Sequence, residues 1–341
     1  MNSKDKNGGV RRTALVIGAT GGIGGEVAHA LIARGWSVRG LNRDPDAARR
    51  RASWMGPVQW VAGDAMNRAD VVAAAAGVDV ILHGANPPGY RNWRGLAIPM
   101  LDNSIAAARA CGARIILPGN VYNFGPDAGS VIHEHSPQHP LTRKGKIRVE
   151  MEQRLIEASQ QGVRSLVVRA GDFFGPHQPA SWFRDAMVKP GKPLRSVVYP
   201  GDVQAGHAWA YLPDLAETIA RLAEIETAMA PFECFHFGGH WFERGGEIAE
   251  AIRDAVGNPD LPIRKFPWIV VYLAAPFVTL MREMLEMRYL WRIPLRLDNR
   301  KLVGVIGAEP HTPLQAALRQ TLAALQCLPQ APASANAVAP V

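Results

Sequence analysis

With 341 residues, 48% of them hydrophobic, the chain is long enough for one large domain with a smaller appended region and has ample material for a core. Lysine and arginine outnumber aspartate and glutamate by 38 to 30, a formal charge of +8, but the cations are dispersed among carboxylates with no dense cluster, so no nucleic-acid partner is expected. Three cysteines, Cys111, Cys234 and Cys327, lie far apart without metal-ligand spacing, which argues against disulfides and zinc.

Residues 1–12 are polar, lack the apolar run of a secretory leader and are read as disordered, and a cytoplasmic protein is expected. Leu15, Val16 and Ile17 then form the continuous apolar run of a parallel strand buried on both faces. The run breaks at Gly18-Ala-Thr20-Gly21-Gly22-Ile23-Gly24, and residues 26–34 have helix-forming composition. Gly18 permits a tight turn, Gly21 lets backbone approach a diphosphate, and Gly24 lets the helix pack on the strand. The diphosphate would lie on the free N–H groups and positive dipole end of that helix. Strand, glycine turn and helix in this order predict a dinucleotide site that includes Thr20, Gly22 and Ile23.

A second strand, residues 36–41, ends at Asn42-Arg43-Asp44-Pro45. A carboxylate at this tip usually holds the ribose 2′-OH of an unphosphorylated cofactor; Asn42 stands there instead, and the guanidinium of Arg43 can pair with a 2′-phosphate. NADP(H) is therefore favoured and NAD(H) is the alternative, in which Arg43 is a solvated loop residue and Asp44 holds the ribose.

Further along, a strand at 58–61 leads to Gly63-Asp64-Ala65, followed by a helix at 68–76, a strand at 78–82, a helix at 96–110 and a strand at 114–117. This alternation predicts a right-handed, doubly wound parallel α/β sheet, with ligands at the carboxyl ends of its strands. Those exits carry Asp64 and Ala65, read as adenine contacts with an N-cap role as the other reading of Asp64. They also carry Gly84, Ala85 and Asn86, read as cofactor contacts, and Asn120.

The glycines at 18, 21 and 24, the Gly63-Asp64 pair, Arg169-Ala-Gly-Asp-Phe-Phe-Gly175-Pro176 and Ala208-Trp-Ala-Tyr-Leu-Pro-Asp214-Leu-Ala216 together resemble the extended short-chain dehydrogenase/reductase family of the NAD-dependent epimerase/dehydratase type. The resemblance implies a Rossmann domain over residues 13–175, its core continuing into 206–237, with 176–328 mainly a C-terminal substrate-binding region. Residues 329–341, rich in Pro and Ala, are read as a disordered tail.

In that family a tyrosine and a lysine four residues on share one helix face; the phenol handles the hydroxyl proton and the lysine binds the nicotinamide ribose. None of the six tyrosines here has a lysine at that spacing. The corresponding helix places Thr142 where the tyrosine belongs and keeps Lys146. An alkyl hydroxyl is far too weak an acid to replace a phenol directly. The serine expected at the preceding strand exit is also missing, where Leu117-Pro118-Gly119-Asn120-Val121-Tyr122 stands. Asn120 can present its amide to a substrate oxygen or merely stabilise a turn, and Tyr122 can supply a phenol or pack the loop. The segment is also loosely similar to the atypical reductases that resemble isoflavone reductase, which work with a lysine and no tyrosine partner.

Small-molecule substrate contacts are expected from Asn86, Arg91, Trp182 and His207. Residues 266–281 carry no charge and are read as a buried helix or a wall of a hydrophobic substrate pocket, the other readings being a homodimer interface and docking on a membrane surface. The run is too short for a spanning helix, and no integral membrane segment is expected. His133, Glu134, His135 and His139 lack regular ligand spacing, and no metal site is expected. Two functions follow: an NAD(P)-dependent oxidoreductase or epimerase-like enzyme using Lys146 with Asn120 or Tyr122, acting on a carbonyl, hydroxyl or enone compound; or a non-catalytic NADP-binding sensor similar to the NmrA type.

Overall fold

The computed structural model describes residues 11–87 and 92–329. Seven parallel strands form the central sheet: β1 (Thr13–Ile17), β2 (Ser37–Asn42), β3 (Val58–Ala62), β4 (Val80–His83), β5 (Arg114–Gly119), β7 (Ser165–Arg169) and β11 (Phe232–His236). Their order is β11-β7-β5-β4-β1-β2-β3, so the chain runs outward from β1 in one direction, then returns to β4 and runs outward in the other. The β1–β4 junction is thus the point where the strand order reverses, the place beyond the strand ends where ligands of such sheets bind.

Alternation along β1 fixes the layers. Ala14 and Val16 join a core with Leu31 of α1 (Gly22–Ala33) and Ile219 of α6 (Leu212–Glu224). Leu15 and Ile17 face the other side, against Val71 of α3 (Arg68–Ala74), Leu101 of α4 (Trp93–Cys111) and Leu155 of α5 (Arg143–Ser159). Both faces are covered, which is why β1 reads as an unbroken apolar run.

Between β2 and β3 lies α2 (Pro45–Arg51), absent from the sequence expectations. It starts because Asp44 caps it, accepting the Ala47 N–H, and because Pro45 fits the first helical position. Likewise α3 is capped by Asn67, which accepts the Ala69 N–H, and not by Asp64.

The remaining elements form the region above the strand ends. A small sheet joins β8 (Asp172–Phe174), β10 (His207–Tyr211) and β12 (His240–Phe242); β9 (Val197–Tyr199) pairs with β13 (Ile263–Lys265), and β6 (Val131–Ile132) with β14 (Arg296–Leu297). Phe174, Phe183, Trp209 and Trp291 pack there with Ile252 of α7 (Glu247–Val256) and Leu318 of α11 (Leu314–Ala324). Leu302 of α10 (Arg300–Ile306) joins the main core.

The uncharged stretch 266–281 corrects its expectation. It forms α8 (Trp268–Ala274), a turn at Pro276 and the start of α9 (Thr279–Met287), and it is not a buried helix. Val271 and Ala275 face inward, whereas Leu273 and Phe277 are 70% and 89% exposed. No helix among the described residues is long and apolar enough to cross a membrane.

Candidate cofactor and active site

The β1–α1 turn sits at the strand-order reversal. Gly18 has φ +87°, and a Cβ there would fall 2.6 Å from the Gly84 carbonyl oxygen. A Cβ on Gly24 would collide with the carbonyl of Gly18, so helix and strand approach as closely as glycine alone permits. The N–H of Gly84 donates to the Ile17 carbonyl at 2.9 Å and ties the two strand exits together. Gly21 is the N-cap of α1 with no side-chain cap, and no acidic residue stands in the first turn. Uncapped N–H groups, a positive helix end and glycines without a Cβ in the turn are what a diphosphate needs, so these residues fit a dinucleotide.

One neighbour of this turn escaped the sequence reading. Gln178 lies over Gly22, where a Cβ would clash with its side chain, and its Oε1 is buried with no hydrogen-bond partner. Beside it, His177 Nδ1 lies 2.9 Å from Glu26 Oε1, and its ring stacks on Trp54 at 3.5 Å. The only sequence signal was Gly22 itself, a position with no room for a side chain.

At the tip of β2, Asn42 Oδ1 accepts the Asp44 N–H at 2.9 Å, Asp44 caps α2, and Arg43 is exposed. After β3, Asp64 Oδ1 accepts the Met66 N–H at 2.9 Å and the Ala65 carbonyl accepts from Asn103. After β4, Asn86 Oδ1 accepts from the Trp93 indole at 2.9 Å. The predicted contact Arg91 lies outside the described residues. His83, at the end of β4, bonds Ser104 at 2.8 Å; burial, with the nearby Arg148 charge, pushes its pKa down to about 3, so the ring is neutral.

At the β5 exit, Asn120 Oδ1 accepts the Tyr122 N–H at 3.0 Å, an Asx turn. The first turn of α5 packs against this loop so closely that a Cβ on Gly145 would strike the Tyr122 carbonyl. Lys146, exposed, follows directly. The structure thus gathers Asn120, Tyr122 and Lys146 in one neighbourhood. Thr142 is there too, but it is buried and caps the helix, its Oγ1 accepting the Gly145 N–H at 2.9 Å.

A buried polar chain holds the loop from beneath. Arg169 donates to the Asn120 carbonyl at 2.6 Å and to Glu152 at 2.8 Å, and Glu152 also accepts from Gln138. Burial opposes the charge on Arg169 more than any single neighbour favours it, but Glu152 and Cys234 together outweigh burial and the guanidinium pKa is raised. From outside, α9 grips the start of α5: Glu283 pairs with Lys144 at 3.1 Å and Arg143 at 3.0 Å, and Glu286 accepts the Arg143 N–H.

His207 lies elsewhere in the cleft. Its Nε2 is 2.8 Å from Asp172 Oδ2, its ring stacks on Trp291 at 4.3 Å, and with Val121, Leu290 and Ile293 it lines a cavity of about 20 Å³. Trp182 packs among Phe266, Trp268 and Trp291, with 5.3 Å between its ring and that of Trp291.

The sequence matches the model of the NAD dependent epimerase/dehydratase family over residues 14–235. No curated protein matches it. Among solved structures, the UDP-glucose-4-epimerase of Stenotrophomonas maltophila, with bound NAD and formylated UDP-arabinopyranose, is 16% identical with a TM-score of 0.71, covering 92% of this chain and 98% of its own. The UDP-glucuronic acid 4-epimerase of Bacillus cereus, in complex with UDP-glucuronic acid and NAD, gives 17% and 0.71 over the same shares. DesIV, a dTDP-glucose 4,6-dehydratase of Streptomyces venezuelae, gives 17% and 0.70 over 92% and 96%.

Proposed function

The chain belongs to the NAD-dependent epimerase/dehydratase family, and on that premise we propose that it is an enzyme that uses a nicotinamide dinucleotide to move a hydride to or from a hydroxyl- or carbonyl-bearing carbon of a small molecule. The observation that carries this reading is the β1–α1 turn, whose uncapped helix end and glycine-only contacts fit a diphosphate. When bound, the dinucleotide supplies the hydride donor or acceptor.

The chain's own residues do the rest. Lys146, on the first turn of α5, binds the nicotinamide ribose. Asn120 and Tyr122 present polar groups to the substrate oxygen from the β5 exit, and Tyr122 handles the accompanying proton. Thr142 takes no part, because its oxygen is engaged in capping and an alkyl hydroxyl is too weak an acid for the task. His207, oriented by Asp172, contacts substrate, and the aromatic wall of Trp182 and Trp291 favours a ring or an apolar body.

Arg43 selects NADP(H). It is exposed at the β2 tip, and the carboxylate next to it is engaged in capping α2. The NAD held by the structural relatives supports the unphosphorylated cofactor as the alternative.

A second reading, a cofactor-binding sensor that does no chemistry, is favoured by the loss of the family phenol at Thr142. The two part on one experiment. Purified protein is assayed with NADPH and NADH against nucleotide sugars, ketones and enones. Turnover that Lys146→Ala abolishes at saturating cofactor supports the enzyme; cofactor binding with no turnover across the panel supports the sensor.

A further inference from the structure

We propose that the α8–α9 hairpin docks the protein on the surface of an anionic phospholipid bilayer. Residues 266–281 contain no charged side chain, and the hairpin turns Ile269, Val270, Leu273, Phe277, Val278 and Leu280 toward solvent. Leu273 and Phe277 are more exposed than any other large apolar side chain among the described residues, at 70% and 89%. Ile269 and Leu273, four apart, share one face of α8, and Phe277 stands in the turn that follows it. A patch of this kind on a folded protein marks a surface that meets something apolar.

The charges around the patch identify the occupant. Arg264 and Lys265 precede the uncharged run, and Arg282 and Arg288 follow it. The two carboxylates of α9 are turned away from the patch rim, since Glu283 pairs with Lys144 and Arg143, and Glu286 with Arg143. Arg288 lies over the rings of Trp268 and Tyr272, at 5.0 and 5.3 Å, which gives the border the aromatic and cationic character suited to a lipid headgroup layer. A second copy of the chain is a poorer match. A two-fold dimer through this face would set the same cationic rim against itself. Helices of seven and nine residues are far too short to span a bilayer, so the hairpin lies in the headgroup layer with Phe277 at its tip.

Flotation of the full chain with vesicles tests this. Phosphatidylcholine vesicles containing phosphatidylglycerol should carry the protein upward in low salt, and phosphatidylcholine vesicles alone should carry much less. Phe277→Asp and Leu273→Asp, both at exposed positions and checked for an unchanged melting temperature, should weaken anionic-vesicle binding by about tenfold or more. Arg264→Glu with Lys265→Glu should abolish the preference for anionic over neutral vesicles. The proposal is overturned by absence of flotation with either vesicle or by binding that both apolar-to-acid variants leave intact. It is equally overturned by concentration-dependent dimerisation without lipid that Phe277→Asp removes, since the face is then an interface between copies.

Discussion

Arg169 and Glu152 meet at 2.8 Å with 1% and 6% of their side chains exposed, directly beneath the loop that carries Asn120 and Tyr122. Removing one partner leaves the other charge buried and unpaired. Glu152→Ala should therefore destabilise the fold by about 3–5 kcal/mol in urea titration, whereas the paired change Glu152→Leu with Arg169→Met should recover much of that loss. A single variant within 1 kcal/mol or so of the parent would show that the pair does not hold the loop.

Thr142 and Lys146 should separate cleanly. Thr142→Ala loses an N-cap and should lower stability by about 1 kcal/mol while leaving turnover at saturating cofactor near the parent value; Thr142→Ser should restore the stability. Lys146→Ala should do the reverse, with stability changed by no more than about 0.5 kcal/mol and turnover lost. Collapse of turnover in a stably folded Thr142→Ala protein would return the hydroxyl to the chemistry.

Arg43→Ala should weaken NADPH binding by roughly tenfold to a hundredfold, the worth of a hydrogen bond to a charged group, and leave NADH binding unaltered. Fluorescence titration of both cofactors decides it. An unchanged NADPH affinity would remove Arg43 from the site.

Three buried histidines predict acid sensitivity. Burial lowers the pKa of His83 to about 3, that of His236 to about 3 and that of His240 to about 4. In the folded protein these rings stay neutral at pH values where the unfolded chain takes up protons, near 6.5. Stability is therefore fullest above the unfolded value and falls as pH drops toward 4, by up to roughly 1.4 kcal/mol per pH unit for each ring. Urea midpoints at about pH 7.5 and about pH 5 measure the fall, and His83→Asn should flatten the slope by about one proton's worth. Equal midpoints at the two pH values would show that these rings accept protons without unfolding the chain.

The parts of the site that were legible are those where backbone geometry restricts the residue. Gly18 needs a positive φ and Gly24 a close approach, so both leave a trace in the sequence. The exits of β1, β4 and β5 were legible too, because these strands are buried on both faces and announce themselves as apolar runs. Thr142 was half legible: its place in the motif could be seen, but its role as a cap depends on where α5 begins. Contacts between distant segments left no local pattern, as with Glu26 and His177, 151 residues apart, or Arg143 and Glu283, 140 apart. The stretch 266–281 left several readings open for a related reason, and only that of a buried helix is contradicted. An uncharged run states that a segment avoids water and says nothing about whether its partner belongs to the same chain.

The helix that carries Lys146 begins in the hold of another helix, with Glu283 and Glu286 of α9 fastened to Arg143 and Lys144. A helix is a stiff rod, its successive turns locked by hydrogen bonds, so a shift at its first residues tilts the whole. Six residues before Glu283 stands Phe277, at the tip of the outward-facing hairpin. The tip and Lys146 are therefore two ends of one lever, and force applied to the most exposed large apolar residue among those described reaches the helix of Lys146 through three ion pairs and a single helical turn.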